Sequence, residues 1–303
     1  MDFRRIDLLV QVAEYGSFSK AASVIGIAQP ALGRQIRKLE EECGTPLLYR
    51  HGRGVLLTAE GEQLLARVRP LLKQMESAVT ELSAERESPS GTVVLGLTPT
   101  LCRLIGQRLV TEARRLYPSL RLNIVMAYSG YVLEWLTGAR LDIAVVHDTR
   151  RAQHLLMEHI GDLQLSLISP AAVVRPGKPK PLIKLQELQG LPLVLPTTHH
   201  GLRRTMEHAA SKAGITLTVE YEMDALEVML DLVKEGHAHT VLAAPVVADW
   251  VSLGYVVTRQ ITEPTIATGL VLAKAANRPA TRATRVIEAM LKDLVMQAAK
   301  LPA

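Results

Sequence analysis

The chain has 303 residues, 48% hydrophobic and 21% charged, with a formal net charge of +5. That length suits two or three domains with a sizeable core, no apolar run approaches the ~18 residues of a membrane-spanning helix, and two cysteines, Cys43 and Cys102, exclude a disulfide or cysteine–metal framework. The N-terminus carries Asp2 and Asp7 and lacks the apolar core of a secretory signal, so the expected location is the cytoplasm.

The charge is not spread as nucleic-acid binding would suggest. Residues 1–90 hold 12 Lys/Arg against 12 Asp/Glu, and residues 91–303 hold 23 against 18. Any DNA contact must therefore come from local segregation of charge.

In chain order, Ile6, Leu9, Val10 and Ala13 recur at helical spacing and predict an amphipathic helix over 4–15. Ser17 or Ser19 can cap a second helix, 19–25, which Gly26 ends. Gln29-Pro30 starts a third, with proline where its missing N–H costs nothing. Two short helices joined by a glycine-containing turn form a helix-turn-helix pattern. On the third helix Leu32, Ile36, Leu39 and Cys43 make a core stripe, with Cys43 expected as a small buried hydrophobe. Ala31, Arg34, Gln35 and Lys38 make a second stripe suited to guanine, adenine and phosphate. The stripe opens at a helix N-terminus, another phosphate donor. Residues 47–58 read as a β-hairpin wing, with Arg50 and Arg53 placed for phosphates or the minor groove.

Thr58 caps a long fourth helix whose apolar seam runs Leu64, Leu65, Val68, Leu71, Leu72, Met75, Val79, Leu82. The seam needs a partner. A second copy of the same helix is the expected one, with packing on its own domain as the alternative. A dimer would present two reading helices to two half-sites. The apolar period is lost from Glu81 to Gly91, which reads as a hinge.

Residues 3–65 resemble the N-terminal domain of the LysR-type transcriptional regulators. The likeness is carried by Phe18-Ser19-Lys20-Ala21-Ala22, Gln29-Pro30-Ala31-Leu32, Gln35-Ile36, Leu39-Glu40, Gly44-Thr45-Pro46-Leu47-Leu48, Arg50 and Leu57-Thr58-Ala59-Glu60-Gly61. Gly33 departs from it, standing where the family usually has serine. The stripe, the wing and the resemblance together give the expected DNA contacts as Ser19, Gln29, Pro30, Ala31, Arg34, Gln35, Lys38, Arg50, Arg53 and Thr58. The resemblance also implies tetramers, activation as well as repression, DNA bending, and RNA polymerase as a partner.

From Thr92 the pattern becomes strand–helix alternation, which predicts a parallel sheet covered by helices on both faces. Strands are expected at 93–97, 122–126, 141–146, 163–169, 192–196, 217–221, 239–244 and 269–273, and helices near 101–116, 131–138, 201–213, 225–235 and 281–299. Two such lobes with a double crossover resemble the family's periplasmic-binding-protein-like effector domain. The expected organisation is a winged helix-turn-helix at 1–58, a linker and dimerisation helix with hinge at 59–90, and an α/β effector domain at 91–303. Its first lobe is about 91–161 with 267–303, and its second about 162–266.

In such sheets ligands bind beyond the carboxyl ends of strands. That places Thr98, Thr100, Ser129, His147, Thr197, His199, Leu202 and Pro245 at a candidate effector cleft. Hydroxyls and helix N-termini there suit a carboxylate or other small anion as effector, although each threonine or serine alone also reads as a helix cap. The histidines lack the cysteines and clustered carboxylates of a zinc site. Neither a phosphate-binding glycine loop nor a nucleophile elbow is present, so no catalytic residue, metal or cofactor is expected. The reading is a homo-oligomeric regulator of double-stranded DNA with a pseudo-palindromic operator and a small-molecule effector, and no membrane partner. A transporter's solute-binding protein and an enzyme fused to a DNA-binding module are the rivals. The first lacks a signal peptide and the second a catalytic constellation.

Overall fold

The structure, a computed structural model, describes residues 3–51, 54–83, 89–147, 152, 154–173, 181–198 and 200–300. The chain divides into two compact units, Met1–Ala78 and Val79–Ala303.

In the first unit, helices α1 (Phe3–Tyr15), α2 (Phe18–Ile25) and α3 (Gln29–Cys43) pack on one another. Their apolar stripes meet at Ile6, Leu9, Ala21, Ala22, Leu32, Ile36 and Leu39, all buried. Each fully buried leucine or isoleucine contributes about 1.5–3 kcal/mol. The Lys20 N–H donates to Ser17 Oγ, so Ser17 and not Ser19 caps α2. Cys43 is half-buried at the edge of this core.

Strands β1 (Leu48–His51) and β2 (Gly54–Leu57) pair antiparallel as the wing, with Leu48 opposite Leu57. The Val55 N–H donates to the Gly16 carbonyl at 2.9 Å. A Cβ on Gly54 would sit 2.7 Å from that same carbonyl oxygen, which is why glycine occupies the turn into β2.

Helix α4 (Ala59–Ser83) divides the expected seam. Leu64, Leu65, Val68 and Leu72 pack into the core of the first unit. Leu71 and Met75, one turn apart, remain 55% and 54% exposed. The Val79 and Leu82 side chains lie outside the described residues.

The second unit begins with β3 (Gly91–Leu97), α5 (Pro99–Leu101), a π-helical turn (Cys102–Gly106) and α6 (Gln107–Leu116). Then come β4 (Leu120–Met126), α7 (Ser129–Thr137), β5 (Ile143–His147), β6 (Leu155–Pro170) and β7 (Leu182–Lys184). Next are β8 (Leu193–Leu195), α8 (Gly201–Lys212), β9 (Val219–Glu222), α9 (Leu226–Lys234) and β10 (Thr240–Ala243). The unit closes with α10 (Ala248–Ser252), β11 (Val256–Thr262), β12 (Ala267–Ala275) and α11 (Arg282–Ala299).

The sheet is mixed, which corrects the expectation of a parallel one. Its order is β4-β3-β5-β12-β6-β11-β7, with β10 also paired to β6. Only β3 with β4 and β5, and β11 with β7, are parallel neighbours in it. β6 runs antiparallel to β12 through its first half and to β10 and β11 through its second, so this one strand belongs to both lobes. Its first half is half-exposed and polar at Glu158, His159 and Asp162, which hides it from an apolar-run criterion. β11, Val-Val-Thr-Arg-Gln-Ile-Thr, escaped for the same reason. β8 and β9 form a separate pair joined to the β10 side by a single Leu193–His239 bridge.

Candidate functional site

Helix α3 presents two different faces. Leu32, Ile36 and Leu39 are buried, whereas Gln29, Pro30, Arg34 and Lys38 are exposed and Ala31 and Gln35 half-buried. At its start Ser19 Oγ donates to Gln29 Oε1 at 2.9 Å, joining the two helices across the turn. Gln35 is not a free amide, because Arg5 Nε donates to its Oε1 at 3.1 Å. Near the other end, Glu40 Oε1 accepts from the Leu47 and Leu48 N–H groups at 2.9 and 3.2 Å, fixing the entry to the wing relative to α3. Arg50 lies in β1 with its side chain outside the described residues, as is the whole of Arg53.

Thr58 corrects the expectation of a DNA contact. It is 2% exposed, its hydroxyl donates to the Pro46 carbonyl at 2.8 Å, and that oxygen accepts from the Gly61 N–H at 3.0 Å. The side chain is spent on capping α4 and tying it to the wing.

The second unit holds a small cleft lined by Pro99, Thr100, Tyr128, Pro196, His200, Leu202, Leu226, Met229 and Leu242. It lies where β3, β4, β8 and β10 end and α5, α7, α8 and α9 begin. Beneath it is a buried polar chain. Thr98 Oγ1 lies 3.3 Å from Thr100 Oγ1, Thr100 Oγ1 lies 2.7 Å from His147 Nε2, and His147 Nδ1 lies 3.2 Å from Thr268 Oγ1 on β12. Burial, with the nearby His200 ring adding to it, pushes His147 down to about 3. A neutral imidazole has one donor and one acceptor nitrogen, so one threonine hydroxyl gives a proton to the ring and the other receives one.

His200 caps α8, its Nδ1 accepting from the Leu202 N–H at 3.2 Å. Burial lowers it to about 4, against the opposing pull of Asp224 and with the Arg204 charge adding to the fall. The Tyr128 ring meets His200 edge-on at 5.1 Å, and burial reinforced by Asp224 raises its hydroxyl to about 12. Ser129 Oγ is buried without a hydrogen-bond partner among the described residues.

The profile of the bacterial regulatory helix-turn-helix protein, lysR family, matches residues 3–62, and that of the LysR substrate binding domain matches residues 86–295. The chain belongs to the LysR family. It is a DNA-binding transcriptional regulator with an effector-binding domain, and not an enzyme. Among curated relatives it is 28% identical to the HTH-type transcriptional regulator BbuR of Bordetella bronchiseptica, over 97% of this chain and 89% of that one. It is 27% identical to a hydrogen peroxide-inducible genes activator of Pectobacterium carotovorum, over 80% of each. Full-length OxyR from Pseudomonas aeruginosa, a point variant, shares its fold at a TM-score of 0.81 and 22% identity, covering 99% of this chain and 97% of that one. CbnR complexed with target DNA does so at 0.70 and 20%, covering 99% and 100%.

Of the residues anticipated at the cleft of this LysR-family regulator, Thr100 and Leu202 line it. Thr98 and His147 stand behind Thr100, and Ser129 follows the lining residue Tyr128. Thr197 is otherwise engaged, its N–H and hydroxyl both donating to the Asp224 carboxylate at 2.9–3.0 Å. Pro245 is half-buried at the start of a 3-10 turn after β10 and is not among the lining residues; the strand end there contributes Leu242 instead. His199 lies outside the described residues. The sequence reading missed Tyr128, Pro196, Leu226, Met229 and Leu242, because single residues at strand ends and at the start of α9 carry no distinctive spacing. His200 had one, a polar residue one step before α8. Among the described residues no group of three or more His, Cys, Asp and Glu side chains is placed to hold a metal ion. No described helix is long and apolar enough to cross a membrane.

Proposed function

We propose that α3 enters the major groove of a pseudo-palindromic operator, with Arg34 and Lys38 donating to guanine or phosphate and Gln35 facing a base edge. Gln29, Pro30 and Ala31 approach the backbone at the helix start, held by the Ser19–Gln29 bond, and the wing brings Arg50 and Arg53 to flanking DNA. The observation that carries this reading is the exposed Arg34–Lys38 stripe opposite a fully buried one on the same helix. The 1–58, 59–90 and 91–303 segments are then reader, coupler and sensor. Two copies pair through α4, where Leu71 and Met75 supply an unpaired apolar strip, and pairs associate further into a tetramer. RNA polymerase enters through the family resemblance alone, and the work is done in the cytoplasm.

The sensor takes a small molecule in the cleft and no resident cofactor. The nine lining residues include no lysine or arginine, and the imidazoles of His200 among them and His147 behind them are neutral at pH 7. The Asp224 carboxylate already fills the donors of Thr197. These features favour a ligand with an apolar body and an uncharged polar head directed at Thr100, over the carboxylate anticipated from the strand-end hydroxyls. Ligand binding shifts the population of lobe arrangements and so the spacing of the reading helices.

Selection of duplexes from a random pool by the full-length protein, at fixed salt, tests the DNA half. Arg34→Ala lowers the preference for selected over random duplex by about tenfold or more with folding intact; an unchanged ratio rejects the role. Thr100→Val leaves operator binding in place and blunts the response to the ligand, and an unaltered ligand titration would count against the cleft.

A further inference from the structure

Gln35 does not meet the groove as a free side chain. An amide that reads adenine turns its oxygen and nitrogen together to the base edge, accepting from N6 and donating to N7. Here Arg5 Nε, reaching over from α1, donates to Gln35 Oε1 at 3.1 Å. A guanidinium has donors and no acceptor. The atom it takes is therefore the amide oxygen, and the orientation of Gln35 follows from chemistry. Arg5 is anchored as well. Its Nη1 pairs with the Glu42 carboxylate on α3, seven residues or about two turns beyond Gln35. The side chain lies along the reading helix with both ends held, 19% exposed.

We infer that Arg5 is a positioning residue for base readout: it turns the Gln35 oxygen inward and leaves the amide nitrogen, with its two donors, as the group that meets the DNA. A donor-only amide donates to guanine N7 or O6, to adenine N7 and to thymine O4 alike. It discriminates against cytosine, whose N4 offers a donor in return, and does not separate adenine from guanine. The inference rests on α3 being the groove helix.

The test uses the full-length protein selecting from a random duplex pool at one salt concentration. Gln35→Ala identifies the base position that Gln35 reads. At that position the parent protein accepts adenine and guanine within about threefold. Arg5→Met frees the amide and sharpens the position to adenine by about tenfold. Arg5→Lys keeps a donor in place and retains the parent pattern. The pair Arg5→Met with Glu42→Gln, which removes the carboxylate charge together with the guanidinium, repeats the sharpening if folding of the single variant suffers. A parent that already demands adenine, or an Arg5→Met variant that stays tolerant of both purines, overturns the inference. Should Gln35→Ala alter no position while Arg34→Ala does, Gln35 reads no base and the inference falls with the groove helix intact. If neither alters any position, the groove reading itself has failed.

Discussion

Thr100, in the short helix α5 that follows β3, and His147, the last residue of the adjacent parallel strand β5, share a 2.7 Å hydrogen bond beneath the cleft. The bond ties a cleft-lining hydroxyl to an imidazole that is 1% exposed and is itself braced by Thr268 on β12. The proposed ligand contact at Thr100 is thereby joined to a strand that pairs with β6, the strand common to both lobes.

That burial gives the effector unit an acid-sensitive stability. In the unfolded chain an imidazole takes up its proton near pH 6.5. In the folded protein His147 waits until about 3 and His200 until about 4. Between these limits the unfolded state holds more protons, so stability is full above pH 6.5 and drains as the pH falls. Each such histidine contributes a limiting slope of about 1.4 kcal/mol per pH unit. Urea unfolding at pH 7.5, 6.5, 5.5 and 5.0 checks this, since the range lies above most carboxylate titrations. His147→Gln, although less stable, flattens the dependence by close to one proton. An identical slope in the two proteins would mean that His147 is not buried neutral.

Thr58 is expected to matter for folding and not for reading. Thr58→Val keeps the shape but loses the cap on α4 and leaves the Pro46 carbonyl without its donor. The cost is about 1–2 kcal/mol in the unfolding of the DNA-binding unit. Thr58→Ser recovers most of it. Base preferences of the folded fraction stay those of the parent; a changed preference with unchanged stability would restore the DNA-contact role.

Gly33 offers the opposite outcome. It is buried in mid-helix, yet a Cβ there meets nothing within 4 Å. Gly33→Ala removes unfolded-state freedom at no steric cost and stabilises the DNA-binding unit by up to about 1 kcal/mol. A lowered unfolding midpoint would show that the helix needs glycine at this point.

The legible parts were those where chemistry is local. Caps and glycines placed α2 and α3, and the 4-3-4 spacing of Leu32, Ile36, Leu39 and Cys43 separated the buried face of α3 from the exposed one. Partners distant in the chain were invisible. Nothing around Gln35 announces Arg5, thirty residues earlier, and nothing around Thr197 announces Asp224. The parallel-sheet expectation went astray at β6, where Glu158, His159 and Asp162 mask a strand that is held by neighbours on both sides and not by its own apolar run.

Arg103 bridges the two lobes of the effector unit. It stands in the π-helical turn three residues after Thr100, where such turns often mark functional positions. Its five donors are all used on the second lobe. Nε donates to the Val246 carbonyl at 2.8 Å, Nη1 to both Glu227 oxygens at 3.2 Å, and Nη2 to both Asp249 oxygens at 3.0 and 2.8 Å. The guanidinium also lies 5.6 Å from the Trp250 ring centre. Both carboxylates are more than 60% exposed, so either pair alone is worth little in water. A planar fork filled on every side holds a geometry that two loose pairs do not. Arg103→Lys keeps the charge, loses the fork, and costs about 1 kcal/mol. Arg103→Ala costs about 1–2 kcal/mol, because it also leaves Glu227 and Asp249 as like charges at the same point and the Val246 carbonyl unmatched. Much of the difference from the parent fades in high salt, where the Debye length shrinks to roughly 3 Å. Urea unfolding of the parent and both variants at low and high salt measures these gaps. Equal stability of Arg103→Lys and parent, or gaps indifferent to salt, would show that the lobes are held together by apolar packing without this arginine.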